Sequence, residues 1–393
     1  MTVESYDPVT GIVELVEPLR GYHFGAREST ENEYSGIDMR GEVLLLSSNV
    51  NITAEIGPTS QTLAHPEPYG GHILVSDFFE PADMTYRAGS IIADNIAINH
   101  MSQLDKSFGG IKFHYATKGE KRVTNSALSQ GHAGAILIGN SKGVVLDGNV
   151  IHDHQQVGIA AWKSHDLTVT NNVVSWIRPY NADKPSFLTW AGNIGGILIT
   201  GNDPYLMKDN IVAGAWHTGF FFPSKNCGSA SVHTGNVAHS ISGYGAIVNS
   251  GASKVCSEFG DFKGYKNHLA TLHMGGGTKS KLNKVRDVVS IDSNVGLMVF
   301  GTGGGRVEVE DVTIYGSKDM PNEDCIGGVS CYTCMSKSGI MMPTFGGHAT
   351  GVSAAPKNLK HMVEAGGSWK GKSLYRRVQF IGFDKAVQSC GQG

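Results

Sequence analysis

Two unrelated sequence markers keep the same beat of about 24 residues, and that beat limits the chain to a repeat architecture. An asparagine followed by a short, mostly apolar run recurs in TNSALSQ, GNVIHDH, NNVVSWI, DNIVAGA and GNVAHSI. These are Asn125, Asn149, Asn172, Asn210 and Asn236, with separations of 24, 23, 38 and 26. A glycine opening an apolar strand recurs in GIKFH, GAILI, GIAAW, GILIT and GFFFP, at Gly110, Gly134, Gly158, Gly196 and Gly219, with gaps of 24, 24, 38 and 23. Sharing both the period and the one long interval identifies a solenoid. Asp287 in RDVVSI and Asp311 in EDVTIY, 24 apart, resume the beat farther on. Each unit holds two or three short strands and no amphipathic run of helix length. That excludes helical solenoids and predicts an all-β, right-handed parallel β-helix with coils stacked about 4.8 Å apart. The 52 glycines agree, because many tight turns need them. The expected organisation is an N-terminal β-rich cap over 1–68, the β-helix over 69–385 and a tail over 386–393.

Register then assigns side chains. The recurring asparagines are expected to stack at a turn, where their amides satisfy backbone groups. After each glycine, offsets one and three read Ile111/Phe113, Ala135/Leu137, Ile159/Ala161, Ile197/Ile199 and Phe220/Phe222. All are apolar and predict an inward face. Offsets two and four then face outward, which puts Ile136 and Ile138 on the outer wall and aligns His114, Trp162 and Thr200 in one external column beside Lys112. In the stretch HDH, His152 and His154 are expected on one strand face. His152 aligns with Leu128, Ser175, Ala213 and His239, and His154 with Gln130, Ile177, Ala215 and Ile241. Neither column repeats histidine, so no ladder of metal ligands is expected.

The corner before each glycine strand points elsewhere. It reads GHAG, QQVG and WHTG, aligning His132, Gln156 and His217. The extra residues of the 38-residue interval, from Arg178 to Asn193, leave from this corner and carry Tyr180, Phe187 and Trp190. Loops leaving a rigid solenoid commonly carry binding residues. The predicted groove is therefore lined by Lys112, His114, His132, Gln156, Trp162 and His217 and walled by Tyr180 and Trp190. Aromatic faces beside amide and imidazole groups suit a sugar chain. The plainer reading is that the histidines cap turns and the loop covers apolar wall.

Cleavage chemistry asks for more. A glycosidase of the usual kind needs two carboxylates about 5–10 Å apart, and only Asp153 lies near this groove. A lyase needs a base and a group that neutralises a uronate carboxylate. Lys112, His114 and His132 are the candidate bases or acids, and calcium is the one cofactor such a lyase would add; otherwise no cofactor or metal is expected. The preferred function is a non-catalytic extracellular module for glycan binding or adhesion, with a polysaccharide-cleaving enzyme as the alternative.

A formal charge of -3 gives no reason to expect nucleic acid as a partner. No apolar run reaches the roughly 18 residues of a membrane helix, and the opening residues lack a secretory pattern. The abrupt start in strand-like text suggests a segment of a larger protein, with any membrane attachment made by other parts of it. Six cysteines, Cys227, Cys256, Cys325, Cys331, Cys334 and Cys390, lie in the second half. Cys227 and Cys256 lie in loop-like text and are predicted to be bonded, with Cys325 joined to Cys331 or Cys334; free buried thiols are the alternative, and a zinc site at the Cys331–Cys334 CxxC would need another close ligand pair, with only Cys325 nearby. The triplet Asn51-Ile52-Thr53 is a glycosylation sequon.

GIVELVEPLRGYHFG and then GIDMRGEVLLLSSNVNIT resemble the segment joining the G8 domain to the β-helix in fibrocystin-like proteins and their hyaluronan-associated relatives, the cell-migration-inducing hyaluronan-binding protein and transmembrane protein 2. SALSQGHAGAILIGNSKGVVLDGNVIHDHQQVGIAAW and CMSKSGIMMPTF resemble fibrocystin-L text, and the similarity runs over about residues 10–385. The resemblance implies an extracellular or cell-surface part of a large protein whose G8 domain lies mostly upstream. In the hyaluronan-associated members the first coil reads similarly to HFH. Here KFHY keeps Phe113 and His114 but has Lys112 in place of the first histidine, which weakens transfer of a hyaluronan-degrading activity.

Overall fold

The computed structural model describes residues 3–10, 12–17, 38–39, 42–54, 70–103, 108–179, 195–200, 205–223, 225–249, 256–275, 282–299, 306–316, 338–341 and 373–382. No described residue is helical. The chain forms two compact units, Met1–Leu44 and Leu45–Gly393. In the first, Val3–Tyr6 pairs antiparallel with Val13–Leu15. The second is the solenoid. Its long sheet already includes Val50–Thr53, paired in parallel with Ile96–Asn99. The first rung therefore lies within the stretch that the sequence assigns to the cap.

Three parallel sheets make the walls: six strands from Ile91–Asp94 to Val232–Thr234, a long sheet from Val50–Thr53 to Ser373–Ile381, and ten strands from Ile73–Val75 to Ser338–Met341. One coil visits each wall in turn, as in Leu167–Thr170, Val173–Arg178 and Gly195–Thr200. Each strand bonds to its equivalent one coil away, which makes a parallel β-helix. From Cys256 onward, ten-residue strands such as Leu282–Ile291 and Arg306–Tyr315 bend around the corner between the first two walls.

Corners are made by residues that tolerate left-handed backbone. Between the six-stranded and long sheets, Asn125, Asn171, Asp209, Asp261, Asp287 and Asp311 all have φ between 50° and 55°. Asparagine and aspartate visit this region because the short side chain bonds locally. Just past this column, Asn149, Asn172, Asn210 and Asn236 are buried in a continuous ladder. Asn149 Nδ2 donates to Asn172 Oδ1 (2.9 Å), Asn172 Nδ2 to Asn210 Oδ1 (2.9 Å) and Asn210 Nδ2 to Asn236 Oδ1 (2.9 Å), and each also caps a backbone carbonyl of the preceding coil.

One member of each sequence marker is one residue out, the first asparagine and the second glycine. Ser126, not Asn125, takes the ladder position, its amide donating to Asn149 Oδ1 at 3.1 Å. Likewise Ile136 pairs with both Ile111 and Ile159, so the strand's equivalent opener is Ala135 rather than Gly134. Ile136 and Ile138 are fully buried and Leu137 faces outward, the reverse of the register read from Gly134. Ala135 stands 25 residues after Gly110 and 23 before Gly158, so the two unequal intervals average to 24 and conceal the slip. With that correction the core is continuous through Ile111, Ile136, Ile159, Ile197, Phe220 and Leu272, all without solvent exposure.

Candidate functional site

The outer face of the ten-stranded sheet carries the predicted column. Gly139 pairs with His114 on one side and Trp162 on the other, and Trp162 pairs with Thr200. Because Gly139 has no side chain, the indole of Trp162 lies across it: a Cβ there would stand 2.5 Å from Cζ2 and 2.9 Å from Nε1. Trp162 remains half-buried. The His114 ring meets Tyr115 edge-on at 4.5 Å, and its Nδ1 has no hydrogen-bond partner. One column over, Lys112 holds its ammonium 5.1 Å from the centroid of Phe108, which stacks on His72 at 4.4 Å. Sequence reading passed over Phe108 and Tyr115, although Tyr115 directly follows a residue it selected.

One column over from Gly139, the same outer face is mostly apolar from Leu137 onward. Leu137, Leu198, Phe221, Ile247 and Met298 form a second apolar cluster, each at most 8% exposed, and Trp162 packs against its edge. Within that stretch the outward column also holds a buried His273 between Ile247 and Met298, whereas His114, Tyr115 and Trp162 on the first coils keep exposed surface.

At the corner, Gln156 and His217 share a register. Gly195 N donates to the Gln156 carbonyl (2.9 Å), Tyr244 N donates to the His217 carbonyl (2.8 Å), and Gly195 pairs with Thr218. His132 stands one position away, level with Gln155 and Arg178, because it inherits the slip of its coil. Its ring lies 6.4 Å from that of His100. Burial lowers its pKa, the charges of His100 and Arg178 add to that, and Asp153 opposes. Asp153 Oδ1 lies 2.5 Å from Arg178 Nε, a charge contact whose N–H is not well aimed at the oxygen. His217 is largely buried, shares a 2.8 Å hydrogen bond with Thr218 Oγ1 and sits 5.8 Å from Tyr244. Its burial also lowers its pKa. His217 thus reads as a corner support. Tyr180, Phe187 and Trp190 lie outside the described residues.

The two HDH histidines do not share a face. Asp153 is left-handed (φ 57°) and breaks the alternation of the strand. His152 faces out, pairs with Ser129 rather than Leu128, and shares a 2.9 Å hydrogen bond with Ser175 Oγ. His154 points into the core across from Gly131, where any Cβ would overlap its ring. Its Nδ1–H donates to the Ala133 carbonyl at 3.1 Å, and burial pushes its pKa down to about 4. The pair cannot chelate. Among the described residues no three of His, Cys, Asp and Glu converge in a way that could hold a metal ion.

Cys227 and Cys256 form a disulfide with Cα atoms 5.6 Å apart. Cys325, Cys331, Cys334 and Cys390 lie outside the described residues. Asn51 is exposed, and its Oδ1 accepts from Asn99 Nδ2 at 2.8 Å.

Residues 86–262 match the family described as "Right handed beta helix region", and the solenoid is a right-handed parallel β-helix. Fibrocystin of Canis lupus familiaris is 21% identical over 429 residues, covering 99% of this chain and 10% of that protein. Fibrocystin of Mus musculus is 22% identical over 300 residues, covering 76% of this chain and 7% of that protein. The chain thus spans a tenth or less of the length of these relatives. Among solved structures, the periplasmic alginate epimerase AlgG matches with a TM-score of 0.33 and 11% identity, covering 77% of this chain and 64% of that one.

Proposed function

We propose that this chain is an extracellular β-helix module that binds a glycan on the outer wall of its first coils. The observation that carries the proposal is Trp162 laid across Gly139, beside His114 and close to Lys112. An aromatic surface flanked by nitrogen donors is the arrangement that takes the apolar face and hydroxyls of a sugar together. The disulfide supports an oxidising compartment, as does the similarity to fibrocystin. Kinship with hyaluronan-associated proteins belongs to the same proposal and rests on the resemblance of GIVELVEPLRGYHFG and GIDMRGEVLLLSSNVNIT, with Lys112 in KFHY counting against a shared degrading activity.

A second reading, a polysaccharide-cleaving enzyme, is favoured by one observation. His114 Nδ1 and His132 Nε2 are buried nitrogens without hydrogen-bond partners, as a proton-transferring imidazole needs. Against a two-carboxylate hydrolase stands Asp153, already engaged by Arg178. The test is incubation with immobilised and free hyaluronan, chondroitin sulfate, alginate and polygalacturonate, with and without calcium, following both retention and chain length. Retention without shortening is expected. Shortened chains would establish the enzyme reading, and no retention on any polymer would refute the binding one.

A further inference from the structure

We propose that the bound sugar chain runs along the solenoid axis onto the hairpin Phe78–Arg87, which forms a distal aromatic subsite and makes the module selective for chains of several units. This rests on the glycan-binding reading above. The hairpin pairs Phe78–Glu80 with Thr85–Arg87 antiparallel. It leaves the solenoid immediately after Ile73–Val75, the strand that pairs with Ile111–His114. Phe78, Met84 and Tyr86 are 55%, 75% and 70% exposed, and Phe79, 40% exposed, leans on Tyr86 at 5.0 Å. A two-stranded ribbon gains little stability from large apolar groups left in water, and apolar patches of this kind mark interaction sites.

The hairpin is rooted in the candidate site. Asp77 accepts hydrogen bonds from Gly89 N (2.8 Å), Thr117 N (2.8 Å), Thr117 Oγ1 (2.8 Å) and Lys118 N (3.0 Å). Burial works to raise its pKa, but these bonds outweigh it and hold the carboxyl below its ordinary value, so the clamp stays charged. Asp77 N in turn donates to the carbonyl of Tyr115, whose ring touches His114 and is 56% exposed. On the far side, Lys118 holds its ammonium 5.2 Å from the Tyr86 ring. Trp162, His114 with Tyr115, and the hairpin therefore follow one another toward the N-terminal end of the solenoid. Successive coils are about 4.8 Å apart, close to the advance of one pyranose unit in an extended chain. Trp162 and His114 stand two coils apart with Gly139 between them, about 9.6 Å, so a sugar chain laid along the axis meets aromatic surface at about every second unit.

The experiment titrates size-defined oligosaccharides of hyaluronan, chondroitin sulfate, alginate and polygalacturonate, from dimer to octamer, against the full chain. Variants are Tyr115→Ala, the double substitution Phe79→Ala with Tyr86→Ala, and Ile92→Ala. Ile92 is a control, 59% exposed on the six-stranded sheet. Kd is expected to fall by about tenfold or more between dimer and octamer. The hairpin double variant and Tyr115→Ala should each lose much of that gain, and Ile92→Ala should keep it. Equal affinity for dimer and octamer overturns the distal subsite and leaves the glycan-binding reading standing. So does a gain that survives the hairpin double variant, the result expected if the patch meets a protein partner instead. If no oligosaccharide or polymer binds, the binding reading fails and takes this inference with it.

Discussion

The early coils, up to about Asn249, and the later ones from Cys256 are built on one path but stabilised differently. The early coils use three separate strands per turn and a buried asparagine ladder at one corner. The later coils replace two of those strands by one bent strand, and charged groups line its exposed side. Arg286 Nε meets Glu258 Oε1 at 2.7 Å, Arg306 meets Glu308 at 2.6 Å, and Arg377 bridges Glu310 and Asp311 at 2.5 Å each. The outer wall of the ten-stranded sheet divides too: polar and aromatic around His114 and Trp162, buried and mostly apolar from Leu198 to Met298, with His273 enclosed between Ile247 and Met298. A wall already committed to packing exposes little surface for recognition. The candidate site therefore falls where the second apolar cluster ends.

The largest expected effect separates the two regions by their corners. Asn172 donates to Leu146 O and Asn210 Oδ1 and accepts from both nitrogens of Asn149, all buried. Asn172→Ala strands several of these groups at once, and an unsatisfied buried group costs about 1–3 kcal/mol. A loss of roughly 3–5 kcal/mol is expected in denaturant unfolding. Arg286→Ala, in the later coils, removes a half-exposed ion pair and should cost about 1 kcal/mol or less. Equal losses at the two positions would mean that the ladder is not what holds the early corner.

Acid should strike both regions. His154 in the early coils and His273 in the later ones are buried, and burial pushes each pKa down to about 4 from 6.5. Between those values the unfolded chain binds protons that the folded chain does not. Stability is therefore whole above about pH 6.5 and falls as pH drops toward 4, by up to about 3 kcal/mol per histidine. His154→Leu has no proton to gain and should flatten part of that slope. Hydrogen exchange resolved by region would show early coils relieved and later coils unchanged. A slope identical to that of the parent chain would show that His154 ionises without cost.

Most of the fold was legible because a solenoid repeats its physics. Apolar positions, turn residues and ladder asparagines recur at one interval, so each coil checks the next. What escaped was local and left-handed. Nothing in the letters of Asp153 says that its backbone turns His154 inward, since aspartate is ordinary in a strand-edge sequence. The slip at Ala135 escaped because a coil one residue long and a coil one residue short cancel. Register alone placed His114 and Trp162 in one outward column, but not Gly139 between them, whose place the slip gave to Ile138. The site was not legible where the partner comes from a distant corner, as with His100 beside His132 or Asp77 beneath Tyr115. The pairing of Cys227 with Cys256 was readable from their loop-like text between coils, although Cys256 itself opens the strand Cys256–Tyr265 and Cys227 lies in a turn.

The next effect is on binding. Trp162→Ala removes the ring that covers Gly139, and on the scale of one aromatic contact it should weaken glycan retention by about 1–2 kcal/mol. It should also cost some stability, because the indole packs on the apolar cluster. Gly139→Ala separates the two contributions: it keeps the indole but pushes it off its seat, where Cζ2 and Nε1 would collide with the new methyl group. If binding depends on where the ring lies, Gly139→Ala weakens it in a protein that still carries every polar group of the site. Retention unchanged in both variants, with folding verified by melting, would remove Trp162 from the site.

The smallest expected effect is at His152, and it tests whether the site lies on this wall at all. His152 is on the long sheet, outward, with its imidazole engaged by Ser175 and only small side chains, Ser129, Ser175 and Ala213, around it in the column. His152→Ala loses one half-exposed hydrogen bond and should change stability and glycan retention by no more than about 0.5–1 kcal/mol. His154→Ala is not its equivalent. It opens a cavity in the core opposite Gly131 and should destabilise early coils without altering the affinity of the molecules that remain folded. The decisive measurement is retention normalised to folded protein for His152→Ala against His114→Ala, which deletes an imidazole beside Trp162. A loss at His114 with none at His152 places recognition on the ten-stranded wall; the opposite pattern moves it around the corner to the long sheet.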